Sequence, residues 1–178
     1  PSPVPAEELS KMSFEEIKQY FMSYVSDNSI HNSRESLAYT FYLLVRKNIE
    51  KYSPFATFLI EPAINFAYTY HFLLAIREAI PTKSVQLTEE ILSLCEYVAA
   101  QNDLYVASSG THEHGLLAAQ REVAHLLESA LNTNNSYFSR EQLDRIRNIL
   151  IILVRNPDPK PEGESETGFD PFTRSFNC

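Results

Sequence analysis

Glycine is nearly missing from this sequence, with 4 in 178 residues. All-β folds use glycine at their many turns, so the scarcity favours helices. Cysteine is almost as rare. Cys95 and Cys178 are too few for a secreted disulfide scaffold, and a reducing, intracellular compartment, cytoplasmic or nuclear, is expected. No run of Lys and Arg occurs. Arg46-Lys47 and the pair Arg145 and Arg147 are short and interleaved with apolar residues, and the formal net charge is -8. Such a surface repels phosphate backbones, so nucleic acid is not an expected partner. The opening PSPVPAEELSK lacks the apolar stretch of a signal peptide. A long uninterrupted apolar run is missing too. Residues 52–76 carry only Glu61 as a charge, but Pro54, Pro62, Asn65 and His71 break the stretch. It reads as a buried core helix rather than a membrane span.

What is present suits one folded domain. Hydrophobic residues make up 44% and charged residues 21%, which supports a real core at this length. Residues 1–12 are Pro-rich and acidic and are expected to be a flexible lead. Residues 13–155 form the helical domain. Residues 156–178 hold four prolines, two glycines and an acidic balance. They bury too little apolar area to offset chain entropy and are expected to be disordered or loosely docked. The start without Met and the abrupt stop at Cys178 suggest a fragment of a larger protein.

Helix starts are written in the capping pattern. Ser13 with Glu16, Asn32 with Glu35, and Ser139 with Gln142 all have capping-box spacing, and Thr88 precedes two acidic residues. Ser53-Pro54 reads as an N-cap followed by proline at the first helical position. Pro62 must kink or divide the helix it enters, and Ile80-Pro81 is expected to end it. Apolar spacing places Leu37, Phe41, Leu44 and Val45 inward on one helix and Ile91, Leu94, Cys95 and Val98 on another. On a third, Leu116, Leu117, Val123, Ala124, Leu127 and Leu131 point in, with Glu122 and His125 opposite. On the last, Leu143, Ile146, Ile149, Leu150 and Leu153 fit a helix. Its β-branched run 149–154 also suits a strand, but the cap and the charges of Asp144, Arg145 and Arg147 continue into it as one helix. Seven aromatics between Tyr52 and Phe72 point around most of one helix, which places it at the centre. The fold class is therefore all-α: an antiparallel multi-helix bundle or a fragment of a HEAT/armadillo-like α-solenoid. No repeat of 30–50 residues is visible.

The stretch ASSGTHEHGLLAAQREVAHLL, residues 107–127, concentrates histidines. A helical zinc motif sets two histidines four apart on one face. His112 and His114 are two apart, about 200° around a helix, and His114 and His125 are about 16 Å apart along its axis. A single zinc cannot join ligands so placed. His112 and His114 remain metal candidates only from a non-helical turn. Ser109, a histidine and Asp103 can be written as a triad, but SSGTH is not the strained nucleophile elbow. Cys95 lies on an apolar stripe, where a free cysteine acts as a small hydrophobe. The glycines are too few and too dispersed for a phosphate loop, and no cofactor is expected. Adjacent carboxylates such as Glu89-Glu90 sit at helix starts, where they complement the dipole.

Two features point to partners. Tyr68, Tyr70, His71 and Phe72 either fill the core or line an aromatic groove for a peptide or helix. In the tail, Phe169, Asp170, Pro171 and Phe172 surround an Asp-Pro turn. Asp170 to Phe172 resembles the short Asp-Pro-Phe peptides bound by clathrin-adaptor appendage domains. The alternative is an extended strap, with Phe169, Phe172 and Phe176 docked on the domain's own surface. The first reading is thus a non-catalytic interaction or scaffold module holding a protein or peptide partner. The alternatives are an enzyme or accessory domain with a histidine loop site near residues 108–114, and a helix-mediated homo-oligomer.

Overall fold

A computed structural model describes residues 3–25, 33–83, 86–101, 115–134 and 138–155. All regular elements among them are helical. They are α1 (Ala6–Leu9), α2 (Phe14–Ser23), α3 (Arg34–Lys47), α4 (Ile49–Tyr52), a 3-10 helix (Ser53–Ile60), α5 (Phe66–Lys83), α6 (Glu89–Ala100), α7 (Leu116–Asn134) and α8 (Arg140–Arg155). The all-α expectation holds, and residues 149–154 are helix rather than strand. One difference appears at the start. The lead expected to be flexible is docked from Val4 onward: Val4 and Leu9 are buried, and Lys51 Nζ donates to the Ser10 carbonyl at 3.3 Å.

The caps explain most boundaries. Ser13 Oγ accepts from the Glu16 N–H at 3.3 Å, and Glu16 Oε2 accepts from the Ser13 N–H at 2.6 Å. Ser139 and Gln142 make the same reciprocal pair at 3.1 Å each way, and Thr88 Oγ1 accepts from Ile91 N–H at 3.4 Å. These bonds satisfy donors that a helix start leaves open. Three expectations shift. Ser33 caps α3, accepting from Ser36 N–H at 3.1 Å, and Asn32 lies outside the described residues. Ser53 is no cap: its hydroxyl donates back to the Ile49 carbonyl at 2.8 Å, so the chain winds on into the 3-10 helix. Pro81 does not end α5, which runs to Lys83. In the last turn a proline removes one donor and leaves the rest of the ladder intact. Pro62 does divide its helix. The 3-10 helix stops at Ile60, and α5 restarts at Phe66 under Asn65, whose Oδ1 accepts from Ala67 N–H at 2.8 Å.

Helix α5 lies between α3 and α7, and α6 lies between the 3-10 helix and α8 while also touching α7. Around α5 an aromatic cluster closes the core. Phe21 of α2 stacks on Tyr68 of α5 at 3.9 Å between centroids, and meets Phe41 of α3 edge-on at 5.1 Å. Phe41 in turn lies 5.0 Å from Phe55 of the 3-10 helix. Each such ring contributes roughly 1.5–3 kcal/mol by leaving water. The inward stripes of α3 and α6 are buried as the spacing predicts. The stripe of α7 is rotated: Ala119, Gln120, Glu122, Val123, Leu126, Leu127 and Ala130 are buried, while Leu117 is exposed and Ala124 and Leu131 are half-buried. The reason is that α7 faces α5 and α6 together, so its buried arc is wider than one stripe.

Candidate functional site

The aromatic groove predicted at Tyr68, Tyr70, His71 and Phe72 is not open. Tyr68 and Phe72 are fully buried in the core just described. His71 is buried as well, and its Nε2 lies 2.6 Å from Glu35 Oε1 on α3. Tyr70 is half-buried, edge-on to the His71 ring at 5.1 Å. Burial of Tyr70 pushes its hydroxyl above the ordinary tyrosine range, with the nearby Glu122 and Glu35 charges adding to the shift. Tyr68, His71 and Phe72 therefore join α5 to its neighbours rather than lining a cleft. Other candidates, His112, His114, Phe169, Asp170, Pro171 and Phe172, lie outside the described residues.

Helix α5 carries two further polar joints, one toward each neighbour. Tyr42 of α3 donates to Glu78 of α5 at 2.6 Å, and Arg46 reaches the same phenol at 3.1 Å. On the other side Arg77 Nε donates to Glu122 of α7 at 2.5 Å, with the Glu122 side chain only 5% exposed. Burial holds the Glu122 carboxyl above the usual carboxylate range, against the pull of Arg77. These pairs fix helix register. They converge on no nucleophile. Cys95 is fully buried, and desolvation pushes its thiol up to about 12, so it is inert as a thiolate source. Among the described residues no three metal-ligating side chains come together.

The open surface lies elsewhere, on α8. Ile146 and Ile149 face the core, and Arg145 clamps the helix onto α6. Its guanidinium grips Glu96 two-handedly at 2.7 and 2.9 Å, also bonds Glu89, and reaches Ser93 Oγ at 3.3 Å. That grip lowers the Glu96 carboxyl and raises the Arg145 guanidinium. With α8 held this way, positions 143, 147, 150 and 154, spaced four, three and four apart, share a second face beside α7. A groove of ≈ 490 Å³ runs along it, lined by Leu131 of α7 with Leu143, Leu150 and Val154, and edged by Arg147 and Arg155. Val154 is 83% exposed, and Leu143 and Ile152 are also exposed. Leu143, Leu150 and Leu153 were expected on the buried stripe; Leu143 is exposed and the other two are half-buried.

Sequence reasoning passed over this groove, although a signal for it exists. The run ILIILV, residues 149–154, is apolar on more sides than one buried stripe requires. A helix at the edge of the fold cannot cover all of them. Comparison with protein-family models, curated proteins and solved structures finds no match to this chain. No helix among the described residues is long and apolar enough to cross a membrane.

Proposed function

We propose that this chain is a non-catalytic helical interaction module whose docking surface is the α7–α8 groove. The observation that carries this is the second apolar face of α8: Leu143 and Val154 open to water with half-buried Leu150 between them, set against Leu131, with Arg147 and Arg155 at the edge. Contiguous apolar surface rimmed by polar groups is the composition of a protein docking site. The partner is a helix or peptide with apolar anchors at helical spacing and carboxylates positioned for the two arginines. The order of helices, with α3, α5 and α7 in one row and the 3-10 helix, α6 and α8 in the other, suits a scaffold of α-solenoid type, in which α8 has, among the described residues, no neighbour in its row beyond α6. An intracellular setting agrees with an unpaired, buried Cys95.

Peptide display against the whole chain tests this reading. Selected peptides should combine apolar residues at three- and four-residue spacing with Asp or Glu, and Leu150→Asp should weaken them at least tenfold. Peptides that bind the Leu150→Asp chain equally well would place the docking surface elsewhere. A second reading, self-association through the same face, is favoured by the exposure of Leu143 and Val154. Sedimentation showing a monomer at all concentrations removes it.

A further inference from the structure

The chain itself contains a segment that matches the groove in chemistry and reach. Helix α8 ends at Arg155, beside Val154 in the groove. The next 23 residues, 156–178, hold Asp158, Glu162, Glu164, Glu166 and Asp170 against only Lys160 and Arg174. Their apolar side chains are concentrated in Phe169, Phe172 and Phe176. The groove offers the complement: an apolar floor and the cations Arg147 and Arg155, neither of which has a carboxylate partner among the described residues.

Length permits the match. From Val154 back to Leu143 the groove follows α8 for about 16 Å at 1.5 Å per residue. The 13 peptide units from residue 156 to Phe169 span up to about 45 Å. The chain can therefore turn at the end of α8, run back beside it and set its phenylalanines over Leu150, Leu143 and Leu131. Tethering raises the effective concentration of such a segment to the millimolar range, so even a weak site is filled.

We infer that the acidic, phenylalanine-bearing segment 162–176 of this chain occupies the α7–α8 groove and competes there with an external partner. The inference uses the groove of the proposed function but does not depend on an external ligand. It makes the segment a built-in competitor: Phe169 and Phe172 occupy the apolar floor, and the glutamates at 162, 164 and 166 face Arg147 and Arg155. An external peptide must displace it, so affinity measured on the whole chain is reduced by the fraction of molecules in which the groove is filled.

The test compares the whole chain with its F169S/F172S/F176S variant by methyl NMR. The methyl signals of Leu143, Leu150 and Val154 should move, while those of Leu73 in the core stay fixed. A nitroxide on Cys178, with Cys95 shielded by its burial in the core, should broaden Leu131 and Leu143 in the parent and markedly less after Phe169→Ser, Phe172→Ser and Phe176→Ser together, or in Arg147→Glu. A displayed peptide should bind the triple variant about tenfold more tightly than the parent. Superimposable groove signals and unchanged broadening overturn the inference. If that happens while Leu150→Asp still abolishes peptide binding, the interaction reading survives alone. If the methyls move yet no external peptide needs Leu150, the internal contact stands and the proposed function falls.

Discussion

Two seams of this molecule are crossed by the same chemical pair, and the pair behaves in opposite ways. Between α5 and α7, Arg77 meets Glu122; between α8 and α6, Arg145 meets Glu96. The Glu122 side chain is 5% exposed and its carboxyl is raised, whereas that of Glu96 is 42% exposed and its carboxyl is lowered. In the first seam desolvation outweighs the arginine; in the second the arginine outweighs desolvation. Burial, not the identity of the partners, decides the sign. The inner seam therefore depends on an intact pair, because a lone buried charge is costly, while the outer seam is a wet clamp that holds an edge helix.

Removing Arg77 should produce the largest effect. Arg77→Ala leaves Glu122 buried without its partner and should lower stability by about 3–5 kcal/mol. Adding Glu122→Gln should recover part of that loss, as read from urea midpoints. Equal midpoints for Arg77→Ala and the parent would erase the contrast between the seams. Arg145→Ala at the outer seam should cost only about 1 kcal/mol, with the difference shrinking in concentrated salt. Because Ile146 and Ile149 still pack, α8 should keep its helicity. A salt-independent loss as large as that of Arg77 would mean that the outer clamp is not solvated.

The pH dependence gives the smallest and most discriminating effect. Native Glu122 holds its proton to higher pH than the ordinary value of 4.5. What it contributes is complete below the ordinary value and is lost as pH rises through the raised one. Glu96 runs the other way: its contribution is present above the ordinary value and is lost as pH falls through the lowered one. Relative to Glu122→Gln, the parent should thus gain stability as pH is lowered from neutral toward 4.5. Relative to Arg145→Ala, it should lose stability on further acidification. Parallel curves for the parent and Glu122→Gln would refute the first assignment.

Both seams show where sequence reading succeeds and stops. Ser13, Thr88 and Ser139 were legible as caps because a cap bonds within three residues of itself. The inward stripes of α3 and α6 were legible because each helix turns one contiguous arc toward the core. Glu122 was read as solvent-facing because the pattern of α7 was taken against one neighbour, and α7 has three, α5, α6 and α8. His71 and Glu35, 36 positions apart, meet only when α3 lies along α5. The α8 groove was hinted at by the breadth of ILIILV, but its wall is Leu131, which reaches it from another helix.

Local chemistry in the chain determined by itself that this protein is helical, where most helices begin, and that the stretch after Pro62 is its centre. Those properties follow from hydrogen bonds and apolar spacing over a few residues. Tertiary structure alone decided which charges are buried and which of two apolar faces of α8 is covered. These depend on how many neighbours a helix has, and the number of neighbours is set by packing across the whole domain.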